Sequence, residues 1–239
     1  MKLTKINALK ILKKYLSKNK SKYRHSIRGA KTCKLLARKF NVSIEEAIIA
    51  GLLHDIGKSI SANEMLNFCS RYSLELYEYD IFYNPTSLHG TISAFLAEKY
   101  FPRIKDREKL ERILKAIKNH TSGSSYMSDL DKVVYLADKI EPKKEDEDFL
   151  DIILKDVNSI DEAIIIVINR KIDRANKNGK IYNPHLDALK ETILDSINRR
   201  ESRREAVFDI PQCIIQTPKI PNSSFKEGKN VIQDNCMVL

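Results

Sequence analysis

Ile44-Glu45-Glu46-Ala47-Ile48-Ile49-Ala50-Gly51-Leu52-Leu53-His54-Asp55-Ile56-Gly57-Lys58 is the stretch from which the rest of the chain is read. Ser43 with Glu46 three residues on forms a capping-box signature, which opens a helix over Ile44–Leu53. That helix is apolar on most sides, so it belongs in a core. It closes on His54-Asp55. A carboxylate placed after such a run is costly unless it is paired or holds a cation. The adjacent imidazole offers a nitrogen donor and the carboxylate a hard oxygen, a pair suited to iron, manganese or zinc.

Outward from this stretch the pattern stays helical. Leu3, Ile6, Leu9, Leu12 and Leu16 predict an amphipathic helix over 2–18, and a second follows over 25–40, ended at Asn41. Further on, the spacing predicts a short helix at 63–71, a loop through Pro85, and helices over 89–100, 108–119, 129–140, 146–156 and 159–177. Gly179 is a C-terminal stop, and Pro184 starts a last helix to about 204. No strand is needed, so the expected fold is all-α. With 7 Gly and 7 Pro in 239 residues, turn-rich β architectures are disfavoured. Pro211, Pro218 and Pro221 break the pattern, so residues 1–205 are expected to form the domain and 206–239 a tail of low order.

The net charge of +10 is concentrated at the start: residues 1–40 hold many Lys and Arg and no Asp or Glu. Such a field attracts anions, phosphates included, although a solvated basic helix face is the simpler account. Cys33, Cys69, Cys213 and Cys236 have no CxxC spacing and read as reduced thiols. No apolar run approaches the ~18 residues of a membrane span, and no secretory signal is evident, so a cytoplasmic protein is expected.

Asp138 repeats the oddity of Asp55, ending the run Val133-Val134-Tyr135-Leu136-Ala137. The histidines are His25, His54, His89, His120 and His185, four of them at expected helix starts or ends. Taken singly, His25, His89 and His120 would be capping or surface residues. His185, after Pro184, reads as structural.

The ordered set His25, His54-Asp55, His89, His120, Asp138 resembles the HD superfamily of metal-dependent phosphohydrolases. The flanking words His54-Asp55-Ile56-Gly57-Lys58, Leu88-His89-Gly90, His120-Thr121-Ser122-Gly123, Leu136-Ala137-Asp138-Lys139-Ile140-Glu141-Pro142 and Gly179-Lys180-Ile181-Tyr182-Asn183-Pro184 are similar to those of its bacterial symmetrical bis(5'-nucleosyl)-tetraphosphatases. The resemblance spans roughly 5–200. It implies a helical HD domain with a divalent metal, iron first and manganese or zinc as alternatives. It implies symmetric cleavage of diadenosine tetraphosphate to two ADP. By the same resemblance His25, His54, Asp55 and Asp138 hold the metal, and Asp55 and Lys58 are catalytic. Lys22, His89, His120, Tyr126, Met127 and Lys143 would contact substrate, or His89 and His120 a second metal.

Lys22 and Lys143 stand where the family tends to have Arg, and Ser124-Ser125-Tyr126 replaces a more basic, proline-containing stretch. Lys is a point charge and lacks the bidentate grip of Arg. Related proteins act on guanosine polyphosphates, dNTPs or cyclic dinucleotides; the Gly-Tyr-Pro signature of the last is missing. A nucleotide- or RNA-binding module using the basic helices would leave Asp55 and Asp138 unexplained, so nucleic acid is not the expected partner. A dinucleoside polyphosphate is, and a homodimer is admitted. Cys236-Met237-Val238-Leu239 matches a prenylation box, more readily by chance than by function.

Overall fold

Helix ends in this chain are built by side chains that accept the first free backbone N–H groups, and the caps locate the elements. Thr4 opens α1 (Lys5–Leu16), Asn19 opens α2 (Lys20–Lys39) and Ser43 opens α3 (Ile44–Leu53), each accepting from the N–H three residues on. A computed structural model describes residues 2–141 and 147–208. It continues with α4 (Ala62–Arg71), α5 (Glu78–Tyr83), α6 (His89–Glu98), α7 (Arg107–Asn119), α8 (Asp129–Ile140), α9 (Glu147–Asp156), α10 (Ile160–Lys177) and α11 (His185–Phe208). Short 3-10 turns follow the HD pair at Ile56–Ser59 and precede α6 at Pro85–Leu88. Among the described residues there is no strand, and the fold is all-α.

α3 is the central element, as its apolar surface requires: Ala47, Ile49, Ala50, Leu52 and Leu53 are buried against α1, α2, α7 and α8. α2 lies along α3 and α8, while α6 packs on α7 and on the 3-10 turn after the HD pair. These packings are close. A Cβ at Gly51 would meet Cys33 Sγ at 2.7 Å and Ala30 Cα at 2.9 Å, so only glycine lets α2 and α3 approach. A Cβ at Gly57 would meet the His89 carbonyl oxygen at 2.3 Å and Ser93 N at 2.9 Å. Gly57 N–H also donates to Ser93 Oγ at 2.8 Å, which pins the turn carrying Asp55 onto α6.

Several local expectations are corrected. α2 begins at Lys20 rather than 25, so His25 lies inside the helix and not at its start. Lys20–Arg24 has no apolar stripe, and the start is set by the Asn19 cap. The segment expected as a loop through Pro85 contains α5, held by tertiary contacts: Asp80 is buried and accepts from the hydroxyls of Ser87 (2.7 Å) and Ser122. At α3 the Ser43 hydroxyl accepts from Glu46 N–H, but the Glu46 side chain pairs with Arg112 of α7 at 2.7 and 3.1 Å. α11 runs to Phe208, past the helix end expected near 204. Pro142, Lys143 and the stretch 209–239 with Cys236 lie outside the described residues.

Gly57→Ala is expected to destabilise the protein by about 1–3 kcal/mol through overpacking against a backbone carbonyl. Thermal unfolding checks this, the melting temperature falling by several degrees; an unchanged value would show that the turn and α6 can part freely.

Candidate metal centre

Four imidazoles and two carboxylates from five helices and the HD turn meet at one place. α2 supplies His25, the end of α3 supplies His54, and Asp55 follows at the head of the 3-10 turn. α6 begins with His89, α7 ends at His120, and α8 carries Asp138 near its C-terminus. His54, Asp55 and His120 are almost wholly buried, and His89 is 9% exposed.

The ring nitrogens fall into two pairs that share Asp55. His25 Nε2 and His54 Nε2 are 3.2 Å apart, and Asp138 Oδ1 lies 3.1 and 3.7 Å from them. Asp55 Oδ2 stands 3.4 and 3.5 Å from the same two nitrogens. On the other side His89 Nε2 and His120 Nε2 are 3.1 Å apart, and Asp55 Oδ1 is 3.1 and 3.6 Å from them.

Backbone carbonyls decide which nitrogen carries the proton. Nδ1 of His54 faces Gly51 O at 2.8 Å, that of His89 faces Thr86 O at 2.6 Å and that of His120 faces Ile117 O at 2.7 Å. A carbonyl only accepts, so each Nδ1 is the donor, and in the neutral ring Nε2 is left to present a lone pair. Lone pairs then face lone pairs and carboxylate oxygens, and buried Asp55 Oδ1 has no hydrogen-bond partner. A cation between them resolves that arrangement, and the N/O donor set suits a divalent transition metal.

Electrostatics agree with this reading. Burial pushes His54 down and His120 to about 3, so both stay neutral near pH 7. Burial alone would raise the Asp55 carboxyl, but His54, His120 and His89 hold it well below the usual carboxylate range. Asp138 is likewise held down against burial, chiefly by Lys139 and His25. His25 differs: burial would lower it, yet Asp138 and Glu141 raise it to about 9. Its Nδ1 touches the buried Glu141 carboxylate, which also binds Arg28.

Glu141 was not among the residues expected from sequence. Its signal was an acidic residue at the negative end of a helix, an unfavourable place without a local partner. Lys139 was also unassigned; its Nζ donates to Asp138 Oδ2 at 2.6 Å and to His120 O at 3.0 Å.

The other expected residues divide. Lys58 Nζ donates to Asp55 Oδ2 at 2.7 Å, and Lys22 Nζ donates to the Lys58 carbonyl at 2.8 Å. Lys22, Lys58 and His89 line one pocket of about 550 Å³. Met127 is half-buried against the core. Tyr126 is 82% exposed, its carbonyl accepting from Lys115, and among the described residues no contact joins it to the cluster. Lys143 lies outside the described residues.

The model of the HD domain family matches residues 23–143, from just before His25 to just beyond Asp138. The chain is 31% identical over 182 residues to a Staphylococcus aureus protein named symmetrical bis(5'-nucleosyl)-tetraphosphatase, covering 74% of this chain and 90% of that one. It is 32% identical over 126 residues to a Mycoplasma genitalium protein named probable nicotinate-nucleotide adenylyltransferase/Ap4A hydrolase. That match covers 53% of this chain and 33% of the relative, so the chain spans about one third of its length. A Clostridium acetobutylicum crystal structure, titled a predicted HD superfamily hydrolase involved in NAD metabolism, superposes with a TM-score of 0.66 at 27% identity, covering 80% of this chain and 96% of that one.

Glu141→Gln keeps the shape but removes the charge behind His25. Metal affinity is expected to fall roughly 10- to 100-fold, as for other carboxylates that orient a ligating histidine. Competition against a chelator measures it, with circular dichroism confirming the fold; unchanged affinity would make Glu141 a structural partner of Arg28 alone.

Proposed function

The chain belongs to the HD-domain family of hydrolases, and on that premise we propose that it hydrolyses diadenosine tetraphosphate and similar dinucleoside polyphosphates symmetrically, to two ADP. The observation that carries the reading is the Asp55 carboxylate, whose two oxygens face two separate histidine pairs beside a pocket lined by Lys22, Lys58 and His89. The name of the Staphylococcus aureus relative supports the substrate. A cytoplasmic location fits a nucleotide substrate, and no described helix is long and apolar enough to cross a membrane.

His25, His54, Asp55 and Asp138 would hold one divalent ion, with iron the first candidate; His89 and His120 with the other Asp55 oxygen would hold a second. Such an ion, when bound, neutralises phosphate oxygens and lowers the pKa of water from ~15.7 toward ~7. The chain's own residues do the rest. Asp55 is ionised and fixed by Lys58, so its orientation toward an attacking water is set before substrate arrives. Lys22 and Lys58 place two ammonium groups at the pocket, where they offset the charge of a polyphosphate. His120 is neutral and carries no spare proton at pH 7. None is needed, because a leaving ADP departs as an anion that cations stabilise without general-acid help. Lys139 holds Asp138 against the His120 carbonyl and so positions a ligand.

Incubation of metal-loaded protein with diadenosine tetraphosphate, followed by product separation, tests the reading. ADP as sole product supports it; AMP plus ATP, or turnover of guanosine polyphosphates in its place, overturns it. Lys58→Ala is expected to lower kcat/KM on the order of 100-fold by removing an electrostatic contact to the developing phosphate charge. For the second ion, His89→Ala is expected to reduce the metal content from two per chain to one, read by elemental analysis. Unchanged stoichiometry would leave a one-metal site.

A further inference from the structure

On the Asp138 side of the ligand cluster lies a second pocket, of about 180 Å³, lined by Lys139, Phe149, Val167, Arg170, Lys171 and Arg174. Its lining has four cationic side chains and no carboxylate. It begins where the metal centre ends, because Lys139 also binds Asp138 Oδ2 at 2.6 Å.

The four cations are not equivalent. Lys139 is tied to Asp138 and the His120 carbonyl. Arg170 lies over the Phe149 ring at 4.2 Å, and Arg174 makes contacts of its own. Lys171, on α10, makes no hydrogen bond or ion pair among the described residues. Its side chain is exposed to solvent and lines the wall of the cleft. Desolvation by the neighbouring protein and the like charge of Lys139 push its pKa down to about 8, with Asp138 and Asp80 pulling the other way. It is still cationic at pH 7. An ammonium in a lining of four cationic side chains and no carboxylate is set for an anion that arrives from outside.

The volume limits what arrives. Sites that enclose a whole small molecule run to about 300–1,000 Å³, so this pocket takes only part of a ligand. The pocket at Lys22, Lys58 and His89 is the larger one, and it adjoins the same cluster from the Asp55 side. A polyphosphate cleaved between two inner phosphates needs its charge offset on both sides of the breaking bond.

We infer that Lys171, beside Lys139, forms a second phosphate subsite that grips the distal phosphates of a nucleoside polyphosphate lying across the metal centre. The inference rests on the nucleotide-hydrolase reading above and adds α10 to the substrate-binding surface. Lys171 binds; it takes no part in bond breaking.

The test uses full-length, metal-loaded wild type, Lys171→Ala and Lys171→Arg, with ADP and diadenosine tetraphosphate as probes. Loss of one charge-assisted contact is expected to weaken ADP binding about ten-fold in Lys171→Ala. It should also raise KM for diadenosine tetraphosphate by a similar factor, with kcat within about two-fold. Lys171→Arg should restore both, and the metal content should be equal in all three. Wild-type affinity and KM in Lys171→Ala would overturn the subsite even if ADP is the product, leaving the reaction standing. ADP binding that depends on Lys171, with no cleavage of diadenosine tetraphosphate, would uphold the subsite and sink the substrate.

Discussion

Two carboxylates and four imidazoles gathered in a helical core turn their donor atoms toward one another, a set that a cation would join, and this constraint organises the molecule. Asp55 is the hinge of it, since each of its oxygens faces a different histidine pair. Breaking up such a cluster piecemeal is costly because a lone buried charge remains. The surrounding architecture therefore fixes each donor from behind: three backbone carbonyls hold Nδ1 of His54, His89 and His120, and Glu141 stands behind His25. Lys58 and Lys139 brace the two carboxylates in the same way.

Holding six donors to hydrogen-bond accuracy requires helices that sit closer than ordinary side chains allow. Gly51 brings α2 onto α3, which sets His25 against His54. Gly57 brings the HD turn onto the start of α6, which sets Asp55 against His89. Packing and chemistry are thus one problem here. The glycines that cost backbone entropy on folding are the ones that let the ligand set close.

The buried apolar helix ending on His54-Asp55 and the matching run ending on Asp138 were legible because both violate the rule that a core excludes charge. The repeated helical spacing made the all-α fold legible as well. What escaped notice was what local pattern does not encode. α5 is a short, aromatic and acidic segment with weak helix preference, and it is held through Asp80 by Ser87 and Ser122, the latter 42 positions away. The start of α2 was hidden because Lys20–Arg24 has no apolar face to count. Glu141 and Lys171 speak only through their neighbours: one matters because His25 lies beside it, the other because α10 crosses near Lys139.

The His25–Asp138 contact spans 113 positions, and the intervening helices supply every other donor. Contacts that distant in sequence form late, after loop-closure entropy has been overcome. During synthesis, a chain that has emerged only as far as α7 holds the HD pair, His89 and His120, but lacks the second carboxylate. The complete donor set exists only once α8 has left the ribosome and docked on α2. The donor set around Asp138 is therefore complete only in a chain that includes α8, which ties that half of the cluster to tertiary closure rather than to nucleation of the first helices.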